Sequence, residues 1–175
     1  EIRDSETAGL GVNASLTGHL VLSTLHTNDA PSTLPRLLDL KVEPYLIAST
    51  VTVIVAQRLV RRICRQCKKE YHLTPGELKN ISEVVSASVL AVKPKFYHGE
   101  GCVECDGTGY LGRIGIHEVL EIDAPIREAI LNKATSADIR TIALTRGMTP
   151  MIVDGFQKAK AGETTIEEIL RTRHE

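Results

Sequence analysis

Two C-x-x-C knuckles, Cys64-Arg-Gln-Cys67 and Cys102-Val-Glu-Cys105, constrain this chain more than any other feature. Each knuckle offers two soft thiolates from a tight turn, and together they can close the tetrahedron that a structural zinc site requires. The 34 residues between them exceed the roughly 15–20 of a compact zinc ribbon, so the insert should fold as its own loop or hairpin. Gly101 before the second knuckle, and Gly107 and Gly109 after it, supply the backbone freedom such turns need. A redox dithiol, two local disulfides and unliganded core cysteines are the alternatives. A redox pair needs no twin, and four cysteines in 175 residues are too few for a disulfide-dense secreted scaffold. The expectation is one Zn2+ held by Cys64, Cys67, Cys102 and Cys105.

Composition narrows the class around that site. With 42% hydrophobic residues and 21 Lys+Arg against 22 Asp+Glu, the chain is neither a disordered tail nor a wholly basic nucleic-acid domain. Its six aromatic residues include no Trp, so the core must come mainly from Leu, Ile, Val and Ala. No apolar leader follows Glu1. The longest apolar stretch, 45–60, is interrupted by Ser49, Thr50, Thr52 and Gln57. It falls short of the roughly 20 residues of a membrane span. The chain reads as cytosolic, with reduced thiols. Arg58, Arg61, Arg62, Arg65, Lys68 and Lys69 cluster near the first knuckle. Without an aromatic stacking surface beside them they read as a solvated face rather than a nucleic-acid or phospholipid patch.

Local signals give the order of elements. Asp4 or Ser5 can cap a helix reaching about Leu16, weakened at Gly9 and Gly11 by roughly 1 kcal/mol each. Residues 19–26 read as a short apolar strand of the kind buried in a parallel sheet. Asn28 or Asp29 can cap a helix to about Leu40, in which Pro35 should introduce a kink or a delayed start. Glu43-Pro44 opens another helix, expected to run through the β-branched stretch 51–55 to the cationic end at Arg62. After Asp123 four short helical pieces follow: 124–131, 136–144, 149–160 and 164–171. The expected division is 1–63 as part of an α/β core, 64–122 as the cysteine subdomain and 123–175 as a helical bundle.

His19 and His26 differ by seven positions, so a regular strand points them to opposite faces, roughly 23 Å apart at about 3.3 Å per residue. Ligands of parallel sheets collect beyond the carboxyl ends of the strands, which is where His26 stands. His19, just after Gly18, reads as a structural histidine. On composition alone Glu1, Arg3, Asp4 and Glu6 are an exposed charged turn.

Taken together, Glu1-Ile-Arg-Asp-Ser-Glu-Thr-Ala8 and Leu16-Thr-Gly-His-Leu-Val-Leu-Ser-Thr-Leu-His-Thr-Asn-Asp-Ala30 resemble the Walker B and histidine boxes of secretion ATPases. These are the hexameric motors of type II secretion and type IV pilus assembly. The likeness continues through the paired knuckles, Gly107-Thr-Gly-Tyr-Leu-Gly-Arg113, Gly115-Ile-His-Glu118 and Gly162-Glu-Thr-Thr-Ile-Glu-Glu-Ile-Leu-Arg171.

The resemblance implies a partial RecA-like P-loop NTPase core followed by a zinc subdomain and closing helices. It places Glu1 as the Walker B glutamate, which polarises the attacking water and supports Mg2+, and His26 as the sensor of the ATP γ-phosphate. The tetracysteine site implies the assembly and secretion branches rather than a retraction motor. It further implies a homohexamer, cytoplasmic and peripheral at the inner face of the inner membrane. Its partners there would be a membrane platform protein and a cytoplasmic adaptor, with nucleic acid not among them. No G-x-x-x-x-G-K-[ST] loop occurs in the chain. The expectation is therefore the C-terminal portion of a motor, beginning inside Walker B and inactive alone. A zinc-stabilised interaction module without enzymatic activity is the alternative.

Overall fold

The computed structural model describes residues 1–74, 76, 81 and 95–172. They form seven helices and four strands in the order α1 (Ser5–Leu16), α2 (Ala30–Asp39), α3 (Pro44–Thr50), β1 (Val53–Ile63), β2 (Lys68–Tyr71), β3 (Phe96–Gly99), β4 (Tyr110–Glu121), α4 (Ala124–Leu131), α5 (Ser136–Thr145), α6 (Met151–Lys160) and α7 (Ile166–Arg171). A single 3-10 turn, Val103–Cys105, shapes the second knuckle. The chain is thus α/β. It divides into two compact units, Glu1–Ala56 with Glu118–Thr149 and Gln57–His117 with Pro150–Glu175.

In the first unit the helix starts follow local chemistry. The Asp4 carboxylate accepts the Thr7 N–H at 2.8 Å, and Asp29 accepts that of Ser32 at 2.8 Å, each satisfying an amide that the helix leaves unbonded. Pro35 neither delays α2 nor ends it; the helix runs from Ala30 to Asp39 around it. Leu34, Leu37, Ile47, Leu120, Ile126, Ile130 and Ile139 form the core of this unit, where α3 packs on α4 and α2 on α5.

Two sequence expectations are corrected here. The helix opened by Pro44 ends at Thr50, and Val53–Ile63 is strand β1, paired with β4. Val51, Thr52, Val53, Ile54 and Val55 lose rotamer freedom on a helix but fit a pleated surface. Along β1 the exposed residues alternate with partly or fully buried ones, so Arg58, Arg61 and Arg62 lie on a strand rather than at a helix end. Residues 19–26 form no ladder strand among the described residues. Leu20 and Leu22 are 87% and 86% exposed, and one backbone bond, Ile2 N–H to Thr24 O at 2.9 Å, ties this segment to residues 1–3. An apolar run with so little to pair with cannot become the buried strand its composition suggests.

In the second unit β2 and β3 pair antiparallel from Lys68–Gly99 to Tyr71–Phe96, closing the base of the insert between the knuckles as a hairpin would. Most of the insert itself, residues 75, 77–80 and 82–94, lies outside the described residues. Val60, Phe96, Ile116, Phe156, Ala159, Ile166 and Ile169 make the core. Phe96 and Phe156 meet edge to face at 5.5 Å. All four helical pieces expected after Asp123 are present. The first two, α4 and α5, belong to the first unit and the last two, α6 and α7, to the second. No helix among the described residues is long and apolar enough to cross a membrane.

Candidate functional site

The four cysteines converge in the second unit. All four Sγ atoms lie within 4.8 Å of one another. Cys64–Cys102 and Cys67–Cys105 are 3.8 Å apart and Cys102–Cys105 3.7 Å. A tetrahedron of thiolates around zinc, with Zn–S near 2.3 Å, has edges of about 3.8 Å. The donor set and its spacing therefore fit Zn2+, and all four residues are reduced.

The backbone holds this arrangement from both sides. The Cys64 N–H donates to Gly109 O at 3.0 Å, Glu100 N–H to Cys67 O at 3.1 Å and Gly107 N–H to Cys102 O at 2.9 Å. Cys105 Sγ accepts the amides of Cys102 at 3.2 Å and Gly109 at 3.3 Å. Burial pushes the Cys105 thiol up, but those amides and the neighbouring thiols outweigh it and bring it down to about 6. Cys67 is pushed up to about 12, chiefly by burial. The backbone passes close to itself at Gly99 and Gly109, where a Cβ on Gly99 would run into the Gly109 carbonyl oxygen.

The basic cluster beside the knuckles is partly absorbed by aromatic rings that sequence spacing did not reveal. Arg61 stacks over Tyr110 at 4.1 Å and Lys68 over Tyr97 at 4.2 Å. Lys68 also donates to Ala161 O at 3.3 Å.

In the first unit Glu1 and His26 meet. His26 Nε2 lies 2.5 Å from Glu1 Oε1, and Arg3 donates to Glu1 Oε2 at 2.8 Å. The Arg3 hydrogen bond, with the charges of Arg3 and His26, holds the Glu1 carboxyl down at about 2, so it is ionised throughout the neutral range. A permanently ionised carboxylate facing an imidazole can orient a water and take part in reading an incoming anion. His19 stands apart from this pair. Its Nδ1 lies 3.0 Å from Thr17 Oγ1 and 3.2 Å from Ala14 O, at the end of α1.

Two residues near this site were not singled out as functional from the sequence. Glu118 is only 3% exposed and accepts the Ala30 N–H at 2.9 Å, and Arg140 donates to Asp29 at 2.5 Å. The available signal was one of phase: on β4 the buried positions run Ile116, Glu118, Leu120, placing a carboxylate in an apolar register.

Comparison with known proteins fits these features. The family described as Type II/IV secretion system protein matches residues 1–171. The type IV pilus assembly ATPase PilB of Thermus thermophilus is 45% identical over 170 residues, covering 97% of this chain and 19% of that protein. Type II secretion system protein E of Aeromonas hydrophila is 43% identical over 176 residues, covering 100% of this chain and 34% of that protein. The chain thus spans about a fifth to a third of the length of these relatives. Its fold is shared with the pilus retraction motor PilT with bound ADP, at TM-score 0.62 and 21% identity over 98% of this chain and 37% of that one. The Legionella pneumophila ATPase DotB has the same fold, at TM-score 0.60 and 21% identity over 99% of this chain and 37% of that one. With a match across residues 1–171 and relatives at these identities, the chain belongs to the type II/IV secretion system protein family.

Proposed function

We propose that this chain contributes the hydrolytic glutamate and the phosphate-sensing histidine of a hexameric motor that couples ATP hydrolysis to assembly of pilin-like subunits. The supporting observation is the 2.5 Å approach of His26 Nε2 to Glu1 Oε1, with Arg3 on the other carboxylate oxygen. Glu1, kept ionised by Arg3 and His26, orients and polarises the attacking water and supports the Mg2+ shell. His26 Nε2, relieved of Glu1, hydrogen-bonds a terminal phosphate oxygen. When bound, ATP and Mg2+ supply the transferable phosphoryl group and the neutralisation of its charge. The loop that would cradle the β- and γ-phosphates has no counterpart among this chain's motifs, so the chain by itself turns over no ATP.

Cys64, Cys67, Cys102 and Cys105 hold Zn2+ as a structural ion in the second unit, within the 64–122 subdomain. The motor works as a homohexamer in the cytoplasm at the inner face of the inner membrane, with a membrane platform protein and a cytoplasmic adaptor as partners. The test is Glu1→Gln in a form of the protein that includes a phosphate-binding loop. Hydrolysis should fall about 100-fold or more while nucleotide affinity stays within about threefold. Undiminished hydrolysis would sink the assignment.

The compact thiol cluster supports one second reading, a zinc-stabilised interaction module with no catalytic role. The same assay separates the two, because a module shows no hydrolysis to lose even when the phosphate-binding loop is present.

A further inference from the structure

Glu118 brings a buried carboxylate from β4 to the start of α2. It occupies an inward position of β4 between Ile116 and Leu120, beside the apolar core of the first unit. A carboxylate in that register is costly unless it is well bonded. Its Oε1 accepts the N–H of Ala30, the first residue of α2, and its Oε2 lies 4.0 Å from Arg140 Nη1.

The start of α2 is thereby completed. Ala30 N–H goes to Glu118, Pro31 has no N–H, and Ser32 N–H goes to Asp29 Oδ1. Arg140 donates to Asp29 Oδ2 at 2.5 Å, so one guanidinium joins the two carboxylates that cap α2. Negative charge at this end also complements the helix dipole. One further bond, between the hydroxyls of Thr27 and Thr33 at 3.0 Å, ties the first residue after His26 to the same helix. The four residues that follow His26 are pinned at Thr27, Asp29 and Ala30, and two of those pins reach the distant residues Glu118 and Arg140.

We propose that Glu118, bridged to Asp29 through Arg140, is a positioning residue that fixes the loop carrying His26 and thereby sets where its imidazole stands. This rests on the phosphate-sensing role proposed for His26. Glu118 touches no reacting atom; it acts through the loop. The glutamine variant keeps an acceptor for Ala30 N–H and loses only the charge, which separates positioning from folding.

Two measurements test this. Amide hydrogen exchange on the chain itself compares wild type, Glu118→Ala and Glu118→Gln. The alanine variant should exchange about tenfold or more faster at residues 27–33 and stay within about twofold of wild type in α4, with the glutamine variant within about threefold at both. Acceleration spread evenly over α2 and α4, or none at 27–33, overturns the proposal.

The second is a double-mutant cycle on ATP turnover, in a form that includes a phosphate-binding loop. His26→Ala and Glu118→Ala should each lower kcat about tenfold or more with KM little changed. The double variant should fall no further than His26→Ala, within about twofold. A double variant carrying the product of the two losses overturns positioning while leaving the nucleotide reading intact. Wild-type turnover by His26→Ala removes that reading, and this one with it.

Discussion

The Glu168 carboxylate, almost fully buried near the start of α7, accepts both the main-chain N–H of Arg61 at 2.9 Å and its guanidinium at 2.7 Å. One strand residue thus holds both oxygens of one helix residue, and Arg171 lies 3.5 Å from Oε2 as well. The Thr164 hydroxyl completes the join by donating to Arg61 O at 2.8 Å, and Tyr110 lies under the guanidinium with its hydroxyl 3.0 Å from Thr165 Oγ1.

Burial raises the Glu168 carboxyl, but the Arg61 bonds and charge outweigh it, and the group sits below its ordinary value. A carboxyl depressed on folding stabilises the native state above its unfolded value, near pH 4.3, and that contribution is lost as pH falls through the lower folded value. Acid unfolding monitored by circular dichroism should therefore be less steep below about pH 4 in Glu168→Gln than in wild type. At neutral pH Glu168→Ala should cost about 2–4 kcal/mol, since it leaves the Arg61 N–H and guanidinium without their acceptor. An unchanged acid limb in Glu168→Gln would show that the pair contributes nothing.

Elemental analysis should return one zinc per chain, and Cys64→Ser should lower that occupancy sharply. In the limit seen for small zinc domains the ion contributes on the order of 10 kcal/mol of folding free energy. Chelation should then abolish protection of the β2–β3 amides. Loss of zinc with folding unaffected would remove its structural role.

At the knuckle crossing, Gly99→Ala places a methyl group into the Gly109 backbone, which has no flexible end to yield. Thermal unfolding should show a loss of about 2 kcal/mol or more, accompanied by weaker metal retention. Wild-type stability in Gly99→Ala would mean that the two strands separate without cost.

Gly9 is the opposite case. It sits inside α1 with no heavy atom within 4 Å of an added Cβ, and its φ is not positive. Gly9→Ala should stabilise the chain by about 0.5–1 kcal/mol in chemical denaturation, through helix propensity and a less free unfolded chain. A destabilised variant would place an unseen constraint on that face of α1.

What the sequence disclosed was local. Asp4, Asp29, Asp123, Thr135 and Thr165 each accept the amide three residues on, as a capping residue does, and the caps at Asp4 and Asp29 were legible from neighbouring letters. The cysteine spacing was equally self-contained. Legibility failed where a partner far along the chain decides the outcome. The segment 53–63 became strand because β4 lies beside it, and 19–26 stayed outside a ladder for want of neighbours. Glu118 meets Ala30 across 88 positions and Arg140 meets Asp29 across 111, separations at which no periodic pattern carries a signal.

The interleaving of the two units bears on how the chain is made. Each unit is assembled from two separated stretches, so the polypeptide leaves the first at residue 56, returns at 118 and departs again at 149. On a ribosome the first unit cannot close its core until Leu120, Ile126 and Ile139 have emerged to meet Leu34 and Ile47. The second waits longer, because Phe156 and Ile169 come last. Neither unit can be excised as one continuous piece, and nascent chains halted before residue 118 would carry α2 and α3 with their apolar faces still uncovered.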